Sequence, residues 1–166
     1  MAGRVVKPPV RRENAYTEVS VFLAGSIEMG KAVDWQYALG ESLTYFHEVG
    51  NIYNPRRDDW DSSWEQRKDN PQFNEQVTWE LDHIEDADIV FFNFIPDTQS
   101  PITLLELGFA LGQMKEVIVC CPPGFWRKGN IDILCDRESV TVYDDYTQAI
   151  AALYKRIHGI YEEMKQ

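Results

Sequence analysis

Apolar positions recur along the chain in two rhythms, one solid and short, the other at steps of three and four. Val19-Ser20-Val21-Phe22-Leu23-Ala24 is nearly continuous and closes on Gly25-Ser26, the pattern of a buried strand. Between Val33 and Val49, Trp35, Leu39, Leu43 and Phe46 fall on one helical face, and Gly50 stops the helix. A second strand is expected over Asn51–Asn54, ended by Pro55, and a long polar loop carrying Trp60 and Trp64 follows from Arg56 to Asn70. A helix from Pro71 to Glu85 then leads into a strand from Asp88 to Ile95. Ser100 is expected as the N-cap of a third helix, with Pro101 in its first turn and its end near Gly112. Beyond it the pattern gives a strand from Glu116 to Cys121 and a Gly/Pro-rich loop from Pro122 to Asn130. A weak turn or helix, a strand from Ser139 to Tyr143 and a helix from Asp145 to Glu162 complete the chain. Residues 1–17 read as a flexible arm ahead of one domain over residues 18–166.

Strands that are solidly apolar and alternate with helices predict an α/β fold. The expectation is a single-domain three-layer sandwich of flavodoxin- or Rossmann-like type, its five-stranded parallel sheet covered by helices on both faces. Ligands of such sheets bind beyond the carboxyl ends of the strands. Here those ends are Gly25-Ser26, the segment from Asn54, the segment from Asn93 to Ser100, and the loop from Pro122.

A net charge of −11 argues against a nucleic-acid polymer as partner, because phosphate-backbone binding needs clustered Lys and Arg. A local basic patch such as Arg56-Arg57 is still suited to a single phosphate, although such a pair is commonly solvated surface. Three cysteines without CxxC spacing read as free thiols of a reducing compartment, and three histidines without paired spacing offer no metal site. No apolar run reaches the ~20 residues of a membrane span. The expectation is a cytoplasmic protein with neither cofactor nor metal.

Two carboxylates stand out. Glu106 is the only charge between Gln99 and Lys115, inside the apolar run Thr-Leu-Leu-Glu-Leu-Gly-Phe-Ala. A buried carboxylate is costly unless something uses or pairs it. A capping box with Thr103 and a structural ion pair are the plain alternatives. Glu80 lies at the edge of the stripe made by Phe73, Val77, Leu81 and Ile84, where partial burial raises a carboxyl pKa, although it also fits an ordinary helix face. Two carboxyls in unlike surroundings suit glycosidic chemistry, one attacking the anomeric carbon and one carrying the leaving group's proton. Gly25-Ser-Ile-Glu-Met-Gly-Lys31 has the spacing of a phosphate-binding loop. It is followed by Ala32 instead of a magnesium-binding Ser or Thr, and it holds Glu28 inside.

From Val19 to about Ile133 the chain resembles the nucleoside 2-deoxyribosyltransferase family and its related deoxynucleotide N-hydrolases. The resemblance is carried by Trp79-Glu-Leu-Asp-His-Ile-Glu-Asp-Ala-Asp-Ile-Val and by Glu106-Leu-Gly-Phe-Ala. It implies that Glu106 is the nucleophile forming a glycosyl ester and that Glu80 handles the proton of the nucleobase. It further implies that Gly25 and Ser26 border base and sugar, and that Asp59 and Trp60 meet the base. Asn130 resembles an Asn lent by a neighbouring subunit to the sugar's 5′ end, which implies a homo-oligomer. Asn93 and Ser100, at a strand end and a helix head, join the candidate substrate-binding set. Three departures stand out: Val21 where the family often has Tyr, Ser100 where it often has Asp, and Glu80 where it has Asp. The implied reaction transfers a deoxyribosyl group from a nucleoside to a second free nucleobase. The alternatives are hydrolysis of nucleosides or their 5′-monophosphates, and a nucleotide sensor without turnover.

Overall fold

The computed structural model describes residues 3–28 and 32–166. The β-strands are β1 (Arg4–Val6), β2 (Val19–Gly25), β3 (Val49–Tyr53), β4 (Ile89–Asn93), β5 (Glu116–Cys120) and β6 (Val142–Tyr143). The helices are α1 (Trp35–Leu43), α2 (Pro71–Asp86), α3 (Pro101–Gly112), α4 (Lys128–Arg137) and α5 (Tyr146–Met164). All strand pairings are parallel, in the order β1-β3-β2-β4-β5-β6. The α/β sandwich is therefore as expected, but the sheet has six strands where five were expected.

The extra strand lies inside the segment expected as a flexible arm. Arg4, Val5 and Val6 pair with Asn51, Ile52 and Tyr53 along the outer edge of β3. Beyond β1 the segment stays fastened: Val10 O accepts the indole N–H of Trp79 at 2.7 Å, and Arg11 bridges to Asp82 at 2.7 Å. Trp79 is fully buried, so its N–H needs a partner, and the arm supplies it.

Side chains alternate across the strands and divide the core in two. Phe22, Ala24, Phe92, Val117 and Val119 pack with Trp79, Ile84, Leu107, Ala110 and Ile131, the layer of α2, α3 and α4. Val21, Leu23, Phe91 and Ile118 pack with Trp35, Leu39, Leu43, Leu153 and Ile157, the layer of α1 and α5. Both sheet faces are thus covered, which is why the strands read as solid runs rather than as alternation.

Several boundaries moved. α1 ends at Leu43 instead of Val49, and the chain turns there so that β3 begins at Val49. The weak element after the Gly/Pro loop is the helix α4, and the last strand is cut to Val142–Tyr143. From central β2 the chain runs outward to β3 and then crosses back to β4, so the strand order reverses between β2 and β4. A crevice opens at such a reversal. Its walls are Gly25-Ser26 and Asn93.

Candidate functional site

The crevice is tightly built. Gly25 lies so close to β4 that a Cβ there would stand 2.4 Å from Asn93 O and 2.6 Å from the Trp35 ring, so only glycine fits. Ser26 N bonds to Asn93 O at 3.1 Å, and the Trp35 indole donates to Ser26 O at 3.2 Å. Asn93 is buried at the end of β4. Gly25, Ser26 and Asn93 therefore form one seam.

Ser100 joins that seam; it is the N-cap residue of α3 as expected, but its hydroxyl does not do the capping. It takes a left-handed conformation (φ 47°) and makes no side-chain cap bond. Its hydroxyl meets Ser26 Oγ at 2.6 Å and Thr98 Oγ1 at 2.9 Å, and Ser26 Oγ meets Thr98 Oγ1 at 2.8 Å. The carboxylate of Glu28 holds the backbone just ahead of the helix, with Oε1 accepting Gln99 N at 2.9 Å and Ser100 N at 2.8 Å. Met29, Gly30 and Lys31, the end of the phosphate-loop-like run, lie outside the described residues.

Glu106 sits well inside α3, and so does Thr103, so the capping-box alternative is excluded. Glu106 is 8% exposed, which makes it a buried acid. Its neighbour is Glu80 of α2, close enough that each carboxyl shifts the titration of the other. Burial first, then the charge of Glu80, pushes the Glu106 carboxyl well above the usual range. Burial also lifts Glu80, to about 7, against the hydrogen bond from Gln76 that favours its ionised form. Two such groups titrate as a unit. From about neutral pH upward the pair retains one proton, which is released only at higher pH.

Gln76 was missed from sequence. One turn before Glu80 on α2, its Nε2 donates to Glu80 Oε1 at 2.7 Å and to Pro55 O at 3.0 Å. Pro55 O can only accept, so the amide must present its N–H groups on this side, and its Oε1 is left buried without a partner. A polar residue four positions before Glu80, on the buried side of the helix, was the available signal.

The loop after β3 carries Asp59 and Trp60. Asp59 is exposed and paired with Arg57 at 2.7 Å, while Trp60 packs edge-on against Trp64 at 5.1 Å. Arg57 is no solvated surface cation. Its side chain is 6% exposed, bridges on to Glu75 at 2.8 Å and lies over the Trp64 ring. Arg56 is held by Gln36 Oε1 at 2.8 Å, by Asp34 at 3.2 Å and by the carbonyl of Val33 at 2.8 Å. The arginine pair fastens the loop to α1 and α2.

Residues 18–125 match the family described as nucleoside 2-deoxyribosyltransferase like, which is more than half of the chain. The chain belongs to the nucleoside 2-deoxyribosyltransferase-like family. Comparison with curated proteins gave no match. In this nucleoside 2-deoxyribosyltransferase-like protein, Val21 points into the α1/α5 core, the sheet face opposite α3, so a side chain at position 21 does not face Glu106. Asn130 is exposed near the start of α4. Among the described residues, no group of three or more His, Cys, Asp or Glu side chains is gathered for a metal ion. Nor is any described helix long and apolar enough to cross a membrane.

Proposed function

We propose that this protein transfers a 2′-deoxyribosyl group between nucleobases through a covalent ester on Glu106. The observation that carries the reading is the buried, electrostatically coupled pair of Glu80 and Glu106, in a chain of this family. One acid that ionises near neutrality beside another held protonated supplies the attacking and proton-carrying roles that a double displacement needs.

In the first half-reaction an oxygen of ionised Glu106 bonds to C1′ as the C1′–N bond breaks, through an oxocarbenium-like transition state. The proton retained by the pair passes from Glu80 to the departing base. In the resting pair the retained proton sits on Glu106, the more strongly raised acid, so it passes to Glu80 Oε2, the oxygen that Gln76 leaves free, before Glu106 attacks. In the second half-reaction a nitrogen of the incoming base attacks C1′, Glu80 takes its proton, and the ester opens to regenerate Glu106. A missing 2′-hydroxyl eases both steps, since no electron-withdrawing oxygen adjoins the developing cation. The crevice residues Gly25, Ser26, Asn93 and Ser100 border the sugar in this reading, and Asp59 and Trp60 meet the base from the loop anchored beside Glu80.

We also infer a homo-oligomer in which Asn130 reaches a neighbouring site. Exposed Ile102 and Leu105 on α3 and exposed Ile133 on α4 support it, as apolar surface that another copy would cover. The three buried free cysteines accord with a reducing, cytoplasmic setting and a role in nucleoside salvage.

The test is trapping. A deoxynucleoside carrying a 2′-fluoro substituent, incubated with the protein, leaves the mass of the fluorosugar on the Glu106 peptide. An unmodified Glu106 after full exposure removes the covalent route. Release of base only when a second base is present establishes transfer, whereas release without it makes the protein a hydrolase.

A further inference from the structure

The amide of Gln76 is held in one orientation by the backbone at the root of the loop after β3. Gln76 is 5% exposed, and its Nε2 donates both to Glu80 Oε1 at 2.7 Å and to Pro55 O at 3.0 Å. A carbonyl oxygen only accepts, so Pro55 decides which end of the amide faces it. This orientation leaves Gln76 Oε1 buried without a partner among the described residues, an unfavourable state for an acceptor. Turned over, the amide would set Oε1 against Glu80, where it could take up the proton of that carboxyl. It would also set two acceptors, Oε1 and Pro55 O, face to face, and this is what opposes the turn.

Pro55 opens the loop that carries Asp59 and Trp60, and the root of that loop is clamped from both sides. Arg56 N donates to Asn54 Oδ1 at 3.0 Å, and the Arg56 guanidinium is tied to Gln36 of α1 at 2.8 Å and to Asp34 at 3.2 Å. Arg57 is tied to α2 through Glu75, the residue before Gln76. The place of Pro55 O, and with it the orientation of the Gln76 amide, therefore depends on where the loop stands.

We propose that Gln76 is a positioning residue that couples the loop after β3 to proton delivery by Glu80. While Pro55 O holds the amide, Glu80 Oε1 is occupied and the proton stands on Oε2, free to leave. With the loop root displaced, the amide turns, Gln76 Oε1 accepts the Glu80 proton, and the departing base goes without it. The proposal rests on the deoxyribosyl reading above and adds a residue to it. The bonds made and broken are the same: a Glu106 oxygen bonds to C1′, the C1′–N electron pair goes to the base, and the base takes the proton from Glu80 Oε2.

The experiment compares two substrates that differ in their need for that proton. The base of 2′-deoxyguanosine must be protonated to leave well, whereas that of 7-methyl-2′-deoxyguanosine already carries a positive charge and departs neutral. Values of kcat and KM are measured on the full chain for the parent and for Gln76→Leu, Gln76→Met and Arg56→Leu, with thermal melts to establish that each is folded. The two Gln76 substitutions remove the amide, Met keeping its unbranched shape, and Arg56→Leu frees the loop root from α1 with Gln76 in place. With deoxyguanosine each variant is expected to lose about ten-fold or more in kcat, while with the methylated substrate kcat stays within about three-fold of the parent. A role in folding alone would lower both substrates alike. Equal losses on the two substrates in a folded Gln76 variant, or in folded Arg56→Leu, overturn the proposal and leave the deoxyribosyl reading intact. A parent protein that releases base from neither substrate overturns the deoxyribosyl reading, and this proposal with it.

Discussion

Glu106 and Glu80 each lose water on folding and each opposes ionisation of the other, so the fold carries an electrostatic cost at its own site. An ordinary glutamate titrates near 4.5, whereas Glu80 in the fold titrates at about 7, so between those values the folded chain binds the extra proton. The sign follows from linkage: stability is greatest below the unfolded value and falls as pH rises through that window. Glu106→Gln removes one of the two charges. Its melting temperature should exceed that of the parent at about pH 8 and lose the advantage near pH 4, as read by thermal melts across pH, while kcat drops by about three orders of magnitude or more. A parent stability that rises steadily from pH 5 to 8 would contradict the buried pair. The acid limb of kcat/KM belongs at about 7 rather than in the ordinary carboxylate range. Gln76→Leu should move that limb upward, since it removes a donor to ionised Glu80, and a pH–rate profile reads the shift directly. Gly25→Ala places a Cβ against Asn93 O and should cost about 1–3 kcal/mol in urea denaturation.

At the scale of elements, the N-terminal segment departs furthest from expectation. Its charge and prolines read as a loose arm, yet Arg4–Val6 supplies an edge strand and Val10 O satisfies the buried indole of Trp79. Nothing in a three-residue strand distinguishes it from coil by periodicity, and the partner that orders it, β3, lies some fifty positions away in the chain. Deleting residues 1–14 should therefore lower stability by about 1–3 kcal/mol through the unpaired Trp79 N–H alone, measured by chemical denaturation. A dispensable arm would leave the transition unchanged. α3 shows the converse case. Its span and its N-cap residue were legible because Ser100-Pro101 and Gly112 punctuate it, but what the side chain at that cap bonds was not. The expected Ser100 hydroxyl is drawn into the ring with Ser26 and Thr98, and a carboxylate more than seventy positions away takes the two N–H groups.

For the molecule as a whole, the reversal of strand order between β2 and β4 gathers into one crevice residues that are remote in sequence: Gly25 and Ser26, Asn93, and Ser100. Asn130 is exposed near the start of α4, and the proposed oligomer has it reach a neighbouring copy's site. Mixing Glu106→Gln protein with Asn130→Ala protein should then restore part of the activity that each lacks alone, because mixed oligomers contain one site with both residues intact. No recovery in the mixture, or a monomeric chain by sedimentation, removes the shared-site reading.

The sequence by itself determined the class of fold and the two acids, because solid apolar runs alternating with helical spacing admit little but a covered parallel sheet, and a lone carboxylate in an apolar helix is conspicuous at any position. It did not determine what each acid touches. That Gln76 donates to Glu80, that Glu80 and Glu106 oppose each other's ionisation, that Glu28 accepts the N–H groups of Gln99 and Ser100 and that Arg56 and Arg57 are tied down inside the loop all depend on contacts between elements. The physical reason is range. Periodicity and capping signals report on neighbours within a turn or two of the chain, whereas burial, hydrogen-bond choice and carboxyl pKa are set by whichever distant residue the packed sheet and helices bring alongside.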